Sequence, residues 1–283
     1  MKVLITGSKG ALGQDVAEVF RAQGHEVVAL DREGLDITDR EAVMKLVSEL
    51  KPDVIINCAA YNLVDKVESD DVYATAYAIN ALGPGYLAEA ARDHEAVFVH
   101  LSTDYVFPGE NPEGYVEHDE RRPISKYGQT KVSGEELVEQ AGGKFYIVRT
   151  SKLFGRPGSS AEAKESFVNL MLRLAASKPE LSIVDEEVGC PTYTLDLSSG
   201  IYELVSGDFE PGIYHLVNSG PGVTWYQFAE EFFNLKNVTT PRKPVSSKDF
   251  PKPAARPRFA ALLNSKFPPL RSRLEALKDF LQS

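Results

Sequence analysis

The chain alternates short apolar runs with longer stretches whose apolar residues recur at helical spacing. Residues 2–7, KVLITG, form one compact run ending in glycine, and residues 25–31, HEVVALD, form a second. Between them, residues 13–24 place Val16, Val19 and Phe20 at i, i+3 and i+4, the buried face of a helix, with Gly24 positioned to stop it. The alternation continues with a helix over 40–50, a strand over 52–60, and a helix over 73–94 with an irregularity at Gly83-Pro84-Gly85. A strand over 96–107, a helix over 127–142 and a strand over 144–154 follow. Val and Ile occupy both parities of these runs, as a parallel sheet covered on both faces requires. Regular βα alternation of this length predicts an α/β fold, a Rossmann-like doubly wound parallel sheet.

The pattern loosens after about Phe154. A helix is expected over 167–177, short strands over 181–187 and 212–218, and a helix over 223–235. That last helix has Thr224 and Gln227 at capping-box spacing and puts Trp225, Phe228 and Phe232 on one side. Proline becomes dense over 241–269, where the chain must be extended or turned. The expected organisation is an N-terminal domain over 1–154 and a smaller, interleaved lobe over 155–283, some segments of which return to the first.

Composition narrows the function classes. The 283 residues are 43% hydrophobic and 25% charged, ordinary for a globular chain, and the net charge of −10 leaves no basic stripe for a nucleic acid. Cys58 and Cys190 form no CxxC or Cys/His cluster and read as reduced thiols in a cytoplasmic protein. No apolar run approaches the length of a membrane span, and the N-terminal run is too short for a signal segment.

The candidate chemistry begins directly after the first strand. TGSKGALG sets Gly7, Gly10 and Gly13 at G-x-x-G-x-x-G spacing where a helix opens. The first glycine permits a tight turn, the second lets backbone approach a pyrophosphate, and the third lets the helix sit close to the sheet. This context makes residues 1–154 a candidate NAD(P)-binding domain, although a glycine triplet can also serve a plain βα turn. Asp31 ends the second strand, where an acid can bind ribose hydroxyls and repel a 2′-phosphate. Arg32 follows and could pair with that phosphate, so NADH is favoured slightly and NADPH stays open.

Thr103 and Asp104 fall at the carboxyl end of a parallel strand, where open α/β sheets bind ligands. Tyr127 and Lys131 stand four apart on the next helix, hence on one face. Alone, such a pair is an aromatic beside a solvated lysine. Beside a nicotinamide it becomes chemistry. A phenol ordinarily near pKa 10 is a slow acid at neutral pH unless a cation shifts it, and Lys131 would be that cation. Thr103 would polarise the oxygen that receives the proton.

TGSKGALG, NCAAY, STDYVF and YGQTK together resemble the extended short-chain dehydrogenase/reductase superfamily, and within it the dTDP-4-dehydrorhamnose reductase family. LDITDREAV, CPTYTLDL, GIYHLVNSG, WYQFAEEFF and AARP extend the resemblance to nearly the whole chain. The resemblance implies NAD(P)H-dependent reduction of the 4-keto group of a nucleotide-diphospho-deoxysugar. Tyr127 would be the proton donor, Lys131 its tuning cation and ribose ligand, and Thr103 the assisting hydroxyl. It implies cofactor contacts at Gly10, Ala11, Leu12, Asp31, Asp36, Ile37, Ala59, Ala60 and Tyr61, with Asp104 at the sugar.

Three departures fall on the substrate side. RTSKLFG carries Lys152 where these reductases resemble one another in having tryptophan, so Lys152 either meets the substrate or is a rim lysine pointing to water. RPGSSAEAKESF is longer than the usual segment, with Ser166 where an asparagine is common, and Glu186 replaces a glutamine. Arg256 in AARP is a candidate diphosphate clamp or a structural ion pair. No ligand cluster indicates a metal, although Mg²⁺ at a subunit contact is known in this family. The expected assembly is a monomer or homodimer. Related sugar-nucleotide 4-epimerases and 4,6-dehydratases use the same pair, but the dehydratases resemble T-D-E where this chain has Thr103-Asp104-Tyr105. The regulatory β subunit of methionine adenosyltransferase shares the fold without the activity.

Overall fold

The computed structural model describes residues 1–160 and 165–282. In the first half the order is β1 (Lys2–Thr6), α1 (Ala11–Ala22), β2 (Glu26–Leu30), α2 (Arg40–Leu50), β3 (Val54–Asn57), α3 (Asp70–Tyr77), α4 (Gly83–Asp93), β4 (Val97–Thr103), α5 (Lys126–Ala141) and β5 (Phe145–Thr150). It continues with β6 (Leu153–Phe154), α6 (Phe167–Ser177), β7 (Leu181–Val184), β8 (Thr192–Tyr193), α7 (Thr194–Ser206), β9 (Gly212–His215) and β10 (Asn218–Ser219). The chain closes with α8 (Trp225–Leu235), β11 (Arg242–Val245), β12 (Leu270–Ser272) and α9 (Arg273–Phe280).

The main sheet is parallel throughout, in the order β2-β1-β3-β4-β5-β9. Successive residues of each strand feed opposite layers. Val3, Ile5, Ile56 and Val148 bury against α1 and α7, meeting Phe20 and Ile201. Leu4, Ile55, Phe98 and Ile147 bury on the other face against Val43, Leu87 and Val138 of α2, α4 and α5. The order of strands reverses between β1 and β3, which opens a crevice at the carboxyl edge there. The later segments build a separate aromatic core around Phe154, Phe228, Phe232 and Phe280. Thr224 and Gln227 close their capping box on α8.

Some expectations are corrected. The strand expected over 96–107 ends at Thr103 and turns into a short 3₁₀ helix over Asp104–Val106. The strand expected over 144–154 is broken, because Lys152 takes a left-handed φ of 45° and sends β6 to pair with β8 instead. The run 212–218 likewise splits into β9 and β10. The irregularity expected at Gly83 lies one turn earlier, as a π-helical turn over Ala78–Leu82. Pro84 sits in the first turn of α4 and has no N–H for the Asn80 carbonyl four residues back, so the α pattern cannot pass unbroken. Within RPGSSAEAKESF, residues 161–164 lie outside the described residues. Among the described residues, no helix is long and apolar enough to cross a membrane.

Candidate active site

The glycine loop has the geometry its spacing implies. Gly7 is left-handed at φ 68°, and a Cβ there would lie 2.5 Å from the Ala59 nitrogen. A Cβ on Gly13 would lie 2.3 Å from the Gly7 carbonyl oxygen, so this position packs α1 against the turn. Gly10 stands at the N-cap, and no side chain caps the helix. The leading N–H groups, from Ala11 and Leu12 on, are therefore those a pyrophosphate would use.

Asp31 accepts hydrogen bonds from the backbone N–H groups of Glu33 and Gly34, and the Lys9 ammonium pairs with its other oxygen. The Lys9 hydrogen bond is the main reason the Asp31 carboxyl titrates below its ordinary value. Arg32 is turned away toward Asp36, 3.7 Å off, and its side chain is exposed. Asp36 accepts from the Thr38 N–H and hydroxyl at 3.0 and 2.7 Å. Ile37 is packed in the core, which leaves its backbone for any ligand. Ala59 abuts Gly7, Ala60 is exposed, and the backbone of Tyr61 is clamped by the Asn80 amide at 2.8 and 3.0 Å.

The proton-transfer candidates meet at the end of β4. Ser125 caps α5, accepting from the Gly128 N–H at 3.1 Å, and this presents Tyr127 in the first turn. The Tyr127 ring is buried, with the ring of Tyr105 packed edge-on at 5.5 Å. Burial pushes the Tyr127 phenol pKa up, the nearby Asp104 charge adds to this, and a hydrogen bond with Thr103 opposes it. Thr103 donates to Asp104 at 2.9 Å, and Ser151 donates to the other carboxylate oxygen at 2.6 Å. Burial raises the Asp104 pKa, against the pull of Ser151, Thr103 and the Lys152 charge.

Lys131 is nearly inaccessible. Its Nζ donates to the Leu101 carbonyl at 2.7 Å and lies 3.3 Å from His100 Nε2, and burial pushes its pKa down to about 8. The lysine expected to serve Tyr127 is thus turned toward the sheet. Thr150, the register partner of Thr103 on β5, has a buried Oγ1 without a hydrogen-bond partner. A buried hydroxyl of this kind at the crevice fits a ligand that supplies the missing bond.

Lys152 is not the rim lysine that points to water. Its ammonium donates to the carbonyls of Glu187 and Val223 at 2.5 and 3.0 Å and sits 4.2 Å from the centre of the Trp225 ring. Burial lowers its pKa to about 8. Arg256 makes the structural ion pair: it grips Asp65 with two nitrogens at 3.0 and 2.8 Å and also donates to the Ala254 carbonyl. Glu186 accepts from Ser246 and Ser247. Arg256 also lines a cleft of about 450 Å³ with Glu187, Lys248, Lys252 and Arg258. Sequence reasoning missed Lys9, Thr150 and the row behind Lys131. Lys9 alone left a signal, as a cation inside a phosphate-type glycine loop.

A parallel sheet with a glycine loop at its reversal point and hydroxyl, phenol and amine groups at one carboxyl edge defines a Rossmann-type, nicotinamide-dependent oxidoreductase. The chain belongs to the family described as the RmlD substrate binding domain, whose model matches residues 1–282. It is 38% identical to a dTDP-4-dehydrorhamnose reductase of Mycolicibacterium smegmatis, over 98% of this chain and 84% of that protein. It is 36% identical to a probable dTDP-4,6-dihydroxy-2-methyloxan-3-one 4-ketoreductase of Streptomyces antibioticus, over 99% of this chain and 94% of that one. The crystal structure of dTDP-4-dehydrorhamnose reductase from Bacillus anthracis, in complex with NADP, superposes with a TM-score of 0.92 at 37% identity, covering 100% and 99% of the two chains.

Proposed function

We propose that this protein reduces the 4-keto group of a dTDP-deoxysugar such as dTDP-4-dehydro-L-rhamnose, with NADPH as the preferred reductant. The observation that carries the chemistry is that the first turn of α5 brings the buried Tyr127 to the carboxyl end of β4, where Thr103 is bonded to the buried Asp104. When bound, the reduced nicotinamide supplies the hydride. Thr103 turns the hydroxyl hydrogen it gives Asp104 toward the ketone oxygen, and Tyr127 gives its proton to that oxygen as negative charge develops on it. Asp104, held by Ser151, keeps Thr103 in place until the ketone arrives. The residues after 155 act mainly as the substrate lobe, and Lys248, Lys252 and Arg258 are the cations of its cleft that face a diphosphate. Arg256 is partly committed to Asp65 and keeps only its remaining donors for that ligand.

Incubation of the purified protein with dTDP-4-keto-6-deoxysugar and NADPH should consume NADPH and sugar one for one. Protein that arrives with tightly held NAD, and interconverts sugars with no net consumption, would instead be an epimerase.

Lys9 supports NADPH. It neutralises the acid that would repel a 2′-phosphate and, half-exposed, keeps further N–H donors for that phosphate. A charge-assisted contact contributes about 1.5 kcal/mol or more, so Lys9→Ala should raise the KM for NADPH roughly tenfold. NADH should be affected much less. Equal changes for the two cofactors in steady-state assays would remove Lys9 from this role.

A further inference from the structure

A row of buried polar residues runs across the sheet behind Lys131. Thr6, Asn57 and His100 are register partners on β1, β3 and β4, each almost wholly inaccessible. Their hydrogen bonds can be followed proton by proton. Asn57 Oδ1 accepts from the Thr6 hydroxyl at 2.7 Å and from the Ala59 backbone N–H at 3.1 Å. A backbone N–H can only donate, so the amide orientation is fixed and Asn57 Nδ2 is the atom facing His100 Nδ1, at 3.2 Å. An amide nitrogen also only donates, so His100 Nδ1 must carry the lone pair. A neutral imidazole then bears its hydrogen on Nε2, which points at Lys131 Nζ 3.3 Å away. An ammonium has no lone pair to receive that hydrogen, whereas a neutral amine has one and can still donate to the Leu101 carbonyl.

We infer that His100, locked as its Nε2–H tautomer by Asn57, is a positioning residue that lowers the proton affinity of the Lys131 amine. The imidazole stays neutral because burial and the lysine beside it drive its own pKa far down. The other charged groups around Lys131 do not reverse this. Glu135, one turn along α5, attracts a proton to Lys131, but it is already paired with Arg149 of β5, Arg121 and Ser102. Tyr127 lies one turn the other way with its phenol protonated, and Asp104 after β4 is engaged by Thr103 and Ser151. His100 therefore sets the pH above which the cation that would acidify Tyr127 is lost. The inference rests on assigning Lys131 to the reductase site, but its test is read without ligand, so its failure leaves the reductase reading standing.

The test is nuclear magnetic resonance of ligand-free protein labelled with ¹³C-lysine and ¹⁵N-histidine. The Lys131 Cε signal is assigned by its loss in Lys131→Met. In the wild type it should titrate near 8, and His100 should show protonated Nε2 and bare Nδ1 through neutral pH. In Asn57→Leu the tautomer is released, and in His100→Gln a side-chain oxygen can accept from the ammonium. Both changes should raise the Lys131 midpoint at least tenfold in proton affinity, although Asn57 does not touch Lys131. A wild-type lysine titrating near 10.5, a His100 protonated on Nδ1, or an unmoved midpoint in folded Asn57→Leu would overturn the inference. The wild-type tautomer reading can overturn it even if both variants fail to fold.

Discussion

Tyr127→Phe should lower kcat by about 10²- to 10⁴-fold, the usual contribution of a positioned general acid, while NADPH binding and the melting temperature stay close to wild type. The substitution removes one oxygen. The ring keeps its edge contact with Tyr105 and its buried position in the first turn of α5, so the local packing survives. Thr103 and Asp104 remain bonded to each other without it. What is lost is the proton for the alkoxide. Burial holds the phenol protonated well above neutrality, so the wild-type donor should persist as pH rises through the neutral range. Steady-state reduction assays, with cofactor binding followed separately by fluorescence, give the decisive comparison. An unchanged kcat would sink the assignment of Tyr127 as the acid.

The second large effect is on stability. Arg149→Met should destabilise the fold by about 3–5 kcal/mol, because it leaves the buried Glu135 carboxylate with only the Ser102 hydroxyl and Arg121, which it shares with Glu139. Arg149 and Glu135 are almost completely inaccessible and meet through two hydrogen bonds, at 2.9 and 2.7 Å. The same guanidinium donates to the Glu117 carbonyl and lies over the Phe107 ring, so one side chain joins α5, β5 and the loop after β4. Burial alone would raise the Glu135 pKa, but Arg149, Ser102 and Arg121 together hold it below the ordinary glutamate value. With the folded pKa depressed, the stabilisation is present in full above the unfolded value and is lost as pH falls through the folded one. Denaturant melts of wild type should therefore weaken in acid, whereas in Arg149→Met protonation of Glu135 relieves the cost and that part of the acid loss should shrink or reverse. Equal denaturant midpoints for the two proteins at neutral pH would contradict this account.

The layering of the fold was legible because each strand and helix carries its own period. Val3, Ile5 and Leu4 point to two layers by parity alone, and Val16 and Phe20 mark the face of α1. Helix α7 was not read, although Leu197, Ile201 and Leu204 are helically spaced, because TLDLSSG is poor in helix formers and packing on α1 overrides that weakness. The break at Lys152 was also hidden, since a left-handed lysine leaves no mark in a hydrophobic pattern. At the candidate site, the nearness of Thr103 and Tyr127 was legible because neighbouring elements deliver them to one edge. The Thr6–Asn57–His100 row could not, because it exists only through the register between strands far apart in sequence. The partners of Lys152 are backbone carbonyls, which every residue possesses and no pattern reports.

The late arrival of β9 has a bearing on synthesis of the chain. Val148 pairs with Tyr214, and Arg149 with His215, so the outer flank of β5 waits for more than sixty residues to emerge after it. During that interval a ribosome-bound chain exposes an apolar strand whose N–H and C=O groups face outward, the kind of edge on which other chains can template themselves. Helix α7, which covers α1 and Asp15 through Thr194, is made in the same interval. The vulnerable period for this protein therefore falls between the completion of Thr150 and the emergence of His215, when most of the main sheet is built but still has an open side.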